Sequence, residues 1–376
     1  VHQRPKAGQQ LFKMISPAQD EKARRTSDPC PSGAPVVVDP LQCPEWDSLL
    51  AAHPRASIFH GSGWARVLQQ TYGHRPVYIC RFEGRQLAGL VPIMEVSSPW
   101  TGRRGVSLPF TDFCPALNSG KLDARSLYEA GMDSGHERRW KYFECRSPGE
   151  GWVGASPSLG FYAHVIDLSA GADGLFNRLD SAIRRGIRKA EAAGLRVDFS
   201  GSLEAMETFY ALHCRTRRRH GLPPQPFRFF RSIQRHIIEG GQGFVATARL
   251  KDQPLAAGVF FCHDRRALYK FGASDYSFQQ MRPNNLMMWA AMKHYADRGA
   301  AELHLGRTSL ANEGLRRFKL SLGASEETVA YCRYDFSAGQ FVRDADRAEG
   351  WFNRVFALLP PPLLRLAGRI LYPHLS

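Results

Sequence analysis

Apolar residues recur at different periods along this chain, and each change of period marks a new element. The first 35 residues carry Gln, Lys, Arg, Pro and Ser without apolar spacing. They cannot bury enough surface to offset the entropy of ordering, and they are expected to form a flexible tail. Between Pro40 and Arg146, the stretches "PEWDSLLAAH" and "GSGWARVLQQTYG" have helical spacing, whereas "PVYICRF" and "LAGLVPIMEV" are short apolar runs on either side of "EGRQ". The spacing predicts two helices and a hairpin, with "VSLPF" and "WKYFEC" as further strands. Residues 147–158, "SPGEGWVGASPS", are loop by composition and make the best boundary.

The second half repeats the plan. Strand "FYAHVIDL" leads into a helix expected from about Asp173 to Ala193, in which Leu175, Leu179, Ile183 and Ile187 recur every four positions. Arg184, Arg185, Arg188 and Lys189 occupy its other face, which reads first as a solvated surface. Strand "LRVDF" and helices "LEAMETFYALHCRTRRR" and "FRFFRSIQRHIIE" follow. Next come strand "ALYKFGASD", loop "YSFQQMRPNN" and helix "LMMWAAMKHYADRG", with Asn284 or Asn285 as N-cap and Gly299 closing the far end. The segments "CRFEGRQLAGLV" from Cys80 and "ARLKDQPLAAGV" from Ala248 align at a constant offset of 168 residues. Duplication of one α/β unit accounts for that echo and for the shared order of flanking elements.

At 376 residues and 43% hydrophobic, the chain can fill two cores. Its formal charge of +15 is uneven: Arg178 to Arg235 holds thirteen basic and five acidic side chains, a local excess of +8. Such a surface attracts phosphates, anionic lipid and nucleic acid without choosing among them. No helix-turn-helix or zinc pattern is present, which argues against DNA. The eight cysteines stand alone, with no Cys/His cluster at metal-ligand spacing, so neither disulfides nor a metal is expected. The short apolar stretch "LFKMIS" is too small for a secretory signal, so a cytoplasmic location is expected. Near the end, "PPP" interrupts any membrane-spanning helix, while Leu363, Leu366 and Ile370 share a face beside Arg365 and Arg369. That pattern fits a short amphipathic helix, either on an anionic membrane surface or docked on the protein itself.

The series "SAIRRGIRKAEAAGL", "YKFGASD", "RPNNLMMWAAM", "LHLGRT" and "NEGLRRFKLSLGA" resembles the FemAB and BioF2-like branch of the GNAT acyltransferase superfamily. The resemblance covers most of residues 160–335, and the hairpin echo fits that family's use of two such domains. It implies an α/β fold with mixed sheets and two tandem GNAT-like acyl-CoA N-acyltransferase domains, at 36–158 and 159–345, with the second catalytic and 346–376 a C-terminal amphipathic segment. It also implies transfer of an acetyl or aminoacyl group to an amine or hydroxyl, commonly on a cell-envelope or exopolysaccharide precursor. Acyl-CoA, as acetyl-CoA, or aminoacyl-tRNA would be the donor. A small-molecule or lipid-linked saccharide would be the acceptor; the amphipathic pattern in residues 351–376, not the resemblance, is what suggests a peripheral location at the inner face of the membrane.

In similar proteins the lysine of "FKxxxG" lies at the active site, and that position is Lys319 here. Attack on a thioester or ester builds negative charge on the carbonyl oxygen, which a fixed cation stabilises. His304 or Glu302 is the expected proton relay. Arg307, Thr308 and Arg316 are expected to hold acceptor phosphates or carboxylates, and Tyr269 and Ser274 to line the pocket. Acetyl-CoA users usually cradle the pyrophosphate with a glycine-rich loop, but "QQMRPNN" has no glycine, which leaves Arg282 and the amides after Asn285 to compensate. The rival expectation is a binding module for a nucleotide-linked sugar or tRNA, without chemistry.

Overall fold

The computed structural model describes residues 33–119, 124–148, 151–343 and 351–375, so the expected tail lies outside the described residues up to residue 32. A long mixed sheet passes through both halves of the chain. Its order is Leu195–Ser200, Gly243–Leu250, Gln253–His263, Arg266–Ser274, Glu302–Ser309, Pro157–Asp167, Ser325–Asp335, Tyr142–Arg146, Gly102–Val106, Met94–Ser98 and Arg75–Pro76. A smaller sheet holds Val36–Val38, Tyr78–Glu83, Gln86–Val91 and Leu117–Asn118.

The duplicated hairpin is visible in the backbone. Tyr78–Glu83 turns into Gln86–Val91 and Gly243–Leu250 into Gln253–His263, each through a two-residue loop with a register shift just before it. Each half then makes a parallel crossover around one helix. Arg125–Arg138 connects Gly102–Val106 to Tyr142–Arg146, and Pro283–Ala296 connects Arg266–Ser274 to Glu302–Ser309.

Three sequence expectations shift. The helix expected over Asp173 to Ala193 is two helices, Gly171–Arg178 and Ser181–Ala192, because Leu179 is extended and Asp180 caps the second by accepting the Ala182 N–H at 2.7 Å. The helix expected to be capped by Asn284 or Asn285 starts earlier, at Pro283, with Arg282 as its cap at φ 60°. Proline suits the first helical position because its fixed φ is helical and its missing N–H would be unpaired anyway. Strand "VSLPF" survives only to Val106; residues 107–115 form a loop in which Leu108 and Phe110 take positive φ.

The largest apolar cluster belongs to neither half alone. Trp46, Phe59 and Trp64 from the first half interlock with Phe209, Phe229 and Ile237 from the second. Helix Leu203–Arg219 lies beneath them and also receives the C-terminal helices Trp351–Leu358 and Pro361–Leu371. There Leu364 is buried, and Gly368 lies so close to the Pro224 carbonyl that no Cβ fits between them. Arg217 donates to the Tyr372 hydroxyl at 2.9 Å, and Arg104 donates to the His374 carbonyl at 2.6 Å. Of the two placements that the sequence leaves open for this segment, docking on the protein's own body is therefore realised, on one helix face.

Gly368→Val should lift this helix from its seat while sparing the sheet. Limited proteolysis should then cut near the C-terminus, with the main thermal transition kept; unchanged protease resistance would show that the packing is looser than described.

Candidate active site

Strands Arg266–Ser274 and Glu302–Ser309 pair for only three residues, Arg266 with Glu302, Ala267 with Leu303 and Leu268 with His304. Beyond Leu268 and His304 they part. The second strand is also irregular against Pro157–Asp167 between His304 and Arg307, where Gly306 adopts φ 70°. A side chain there would be strained, which explains the glycine. Leu303 and Leu305 point into the core, as the alternation predicts, and Glu302 and His304 face the other way into a cavity.

The first half fills the mouth of this gap from one side. Arg146 donates to the carbonyl of Thr111 at 2.8 Å, and the Tyr331 hydroxyl donates to that of Asp112 at 2.6 Å, which fixes the 107–115 loop. Thus held, Asp112 accepts from Lys270 Nζ at 2.7 Å, and its carboxylate lies beside Gly306. Burial pushes the Asp112 carboxyl up, but Lys270 and Arg307 outweigh it and hold the group ionised, below its ordinary value. Burial lowers Lys270 in spite of Asp112.

Lys319 comes from the opposite side, on helix Glu313–Ser321, which Asn312 caps by accepting the Leu315 N–H at 3.0 Å. Only 4% exposed, it donates to the carbonyls of Gly306 at 2.9 Å and Arg307 at 3.1 Å. These are carbonyls at the irregular stretch of the strand. Burial brings its pKa down to about 8, with Asp112 opposing and Lys270 assisting. Lys319 is thus neither on an outer surface nor among the residues lining the adjoining cavity.

That cavity, about 540 Å³, lies between the halves, with Phe59 and Phe113 on one side and Leu268, Glu302 and His304 on the other. His304 Nδ1 accepts the Gly306 N–H at 2.9 Å; a backbone amide can only donate, so Nε2 carries the proton of the neutral ring. Burial lowers His304 to about 4, against the pull of Asp112. In that form it offers its Nε2–H as a donor. Glu302 is half-exposed and paired with Arg266 at 3.2 Å.

The remaining sequence candidates are dispersed. Arg307 lies on the cavity face with its guanidinium 4.4 Å from the Phe161 ring centroid. Thr308 is on the other face, its buried hydroxyl without a protein partner. Arg316 grips Glu326 with two hydrogen bonds of 2.8 Å and lies over Tyr162, so it is committed within the protein. Tyr269 is packed on Phe260, with its hydroxyl folded against Gly272. The Ser274 hydroxyl accepts from Asn284 at 3.3 Å, and its backbone carbonyl and N–H both bond the Thr216 hydroxyl, at 3.2 and 3.1 Å. Arg282 is exposed, while Asn285 is pressed onto Gly186 of the neighbouring helix.

Sequence reasoning passed over Asp112, Lys270, His164 and Glu326. Lys270 did leave a signal, a charge inside the apolar run "ALYKF". His164, fully buried, donates Nε2–H to Glu326 at 3.0 Å, and its Nδ1 has no protein partner. Burial and Lys319 lower its pKa against the pull of Glu326.

The fold is shared with known proteins. Residues 177–323 match the model of the acetyltransferase (GNAT) domain. No protein of curated function matches the sequence. Among solved structures, FemX is similar with a TM-score of 0.63 at 14% identity, over 81% of this chain and 98% of that one. The C-terminal domain of a protein assigned as lysylphosphatidylglycerol synthetase, from Agrobacterium fabrum, gives 0.51 at 13%, over 76% and 89%. A tandem GNAT protein from the clavulanic acid biosynthesis pathway gives 0.50 at 10%, over 80% and 98%. Residues 177–323 thus carry an acetyltransferase (GNAT) domain, within a fold shared with FemX and with a tandem GNAT protein.

Asp112→Asn should destabilise the protein by about 3–5 kcal/mol, because it strands a buried ammonium, whereas Asp112→Leu combined with Lys270→Met should recover much of the loss. Urea unfolding midpoints measure both. Lys319 supplies a pH test. Below about pH 8 it is charged in both states, and the cost of burying that charge is fully present. As pH rises past 8 towards 10.5, the folded form sheds its proton first and stability should rise, by up to about 3 kcal/mol relative to Lys319→Met. Parallel unfolding curves at neutral pH and near the ordinary lysine value would show it.

Proposed function

We propose that this chain is an acyltransferase that moves an acetyl or aminoacyl group onto an amine or hydroxyl of a cell-envelope or exopolysaccharide precursor. The observation that carries the reading is the gap between the parted strands, where Lys319 and the Lys270–Asp112 pair meet from opposite sides. An ammonium has three donors, and Lys319 spends two on carbonyls. The third remains for the oxygen of a tetrahedral intermediate.

In the step itself the acceptor nitrogen or oxygen attacks the donor carbonyl, the new C–N or C–O bond forms, and the C–S or C–O bond to CoA or tRNA breaks. The proton lost by the nucleophile ends on the leaving group. His164, oriented by Glu326 and with Nδ1 bare, is better set to carry it than His304. Glu302 lines the cavity as an acceptor contact, and Arg307, stacked over Phe161 and Tyr331, is the cation assigned to the acceptor's acidic groups. The likeness to a protein assigned to lysylphosphatidylglycerol synthesis supports aminoacyl transfer to an envelope component.

The donor's phosphates fall to side chains more than to amides. Pro283 has no N–H, and the Asn285 N–H is directed at the Arg282 carbonyl at 3.1 Å. Arg282 and the exposed Arg185 of the adjoining helix are cations placed for a CoA pyrophosphate or a tRNA backbone, with Arg188 and Lys189 of that helix also exposed.

Purified protein given acetyl-CoA or aminoacyl-tRNA with envelope precursors should form acylated product by mass spectrometry. Lys319→Met should lower turnover about 100- to 1000-fold with an unchanged circular dichroism spectrum. Wild-type turnover should decline as pH rises through about 8, where the ammonium is lost. Full activity in that variant would remove the site, and ligand binding without transfer would favour a binding module.

A further inference from the structure

The C-terminal helices bury one apolar face and leave another uncovered. In Pro361–Leu371 the seat is made by Leu364 and Gly368, yet Leu363, Leu366 and Ile370, on a neighbouring face, are 51%, 49% and 46% exposed. The preceding helix adds Val355 and, at 83% exposed, Leu358. Single exposed leucines are ordinary. Here, however, six of the fourteen large exposed hydrophobics of the described residues fall within residues 351–375, so they are concentrated in one segment.

Charge and aromatic placement say what covers it. Residues 351–376 contain Arg354, Arg365 and Arg369 and no Asp or Glu. At the end of the segment, Trp100 is 63% exposed on the tip of the hairpin joining Met94–Ser98 to Gly102–Val106, and its ring lies 4.2 Å from that of His374. Arg103, on the same tip, is also exposed. An apolar stripe flanked by arginine, with tryptophan at its margin, suits the boundary between lipid headgroups and acyl chains. A second copy of the chain is a poorer occupant, because a two-fold contact would set Arg365 and Arg369 near their own equivalents with no acid in the segment to offset them. No described helix is long and apolar enough to cross a membrane.

We propose that this face seats the protein on an anionic phospholipid surface, with Leu363, Leu366 and Ile370 at the acyl boundary and the exposed Arg369 at the phosphates, while Arg365 lies over Tyr210 of the supporting helix. The inference is independent of the chemistry proposed for the gap. Full-length protein should float with vesicles of phosphatidylcholine and phosphatidylglycerol in equal parts, less so with phosphatidylcholine alone, and salt should weaken binding. Leu363→Gln, Leu366→Gln and Ile370→Gln together should reduce partitioning by about tenfold or more, with the melting temperature kept, while Leu203→Gln, an exposed leucine elsewhere, should change nothing. The inactive Lys319→Met protein should bind vesicles like wild type, which separates this reading from catalysis. Equal flotation of wild type and triple variant would overturn the proposal. So would a concentration-dependent dimer abolished by the triple variant, since the occupant would then be another copy.

Discussion

The contact on which the site depends is the bond between Lys270 and Asp112. A lysine in the middle of an inner strand is tolerable only beside a carboxylate, and among the described residues its ion-pair partner is Asp112. The carboxylate is delivered from a loop of the first half, which Arg146 and Tyr331 hold by its backbone. The parting of the two parallel strands is thereby closed on one side by the first half and on the other by Lys319. Neither half holds the complete arrangement.

Charge is managed within a few ångströms. Lys270 lowers the tendency of Lys319 to hold a proton, Arg307 and Arg146 do the same to Lys270, and Asp112 counters both. His304 is kept neutral by burial and by these cations, and its free donor faces the cavity. On the helix side, Arg316 neutralises Glu326, and Glu326 in turn orients His164. Two histidines therefore serve opposite faces of the same strands, one as donor and one with a bare acceptor.

Much of this was legible in the order of residues, for physical reasons that differ by element. Alternation at Leu303 and Leu305 against Glu302 and His304 set the faces of the site strand, since period-two burial is a local property. The helix "LEAMETFYALHCRTRRR" is Leu203–Arg219, and the repeated hairpin is present in both halves. The Asp112–Lys270 partnership was not legible, because 158 residues separate the pair and only the closed sheet brings them together. The commitment of Arg316 to Glu326 was hidden for a related reason: an arginine in a basic turn looks free until the strand opposite it is placed. The break at Asp180 had a capping signal that the four-residue period of the leucines and isoleucines masked.

The aromatic cluster shared by the two halves has a consequence for how the chain is made. Trp46, Phe59 and Trp64 leave the ribosome long before Phe229, Phe230 and Ile237 exist to cover them. The nascent first half must carry that uncovered surface through the synthesis of well over a hundred further residues, at a rate of about 5–20 residues per second. For those seconds its solubility rests on whatever holds the aromatic face, so the interval of translation, rather than the finished fold, is the stage at which this protein is most exposed to aggregation.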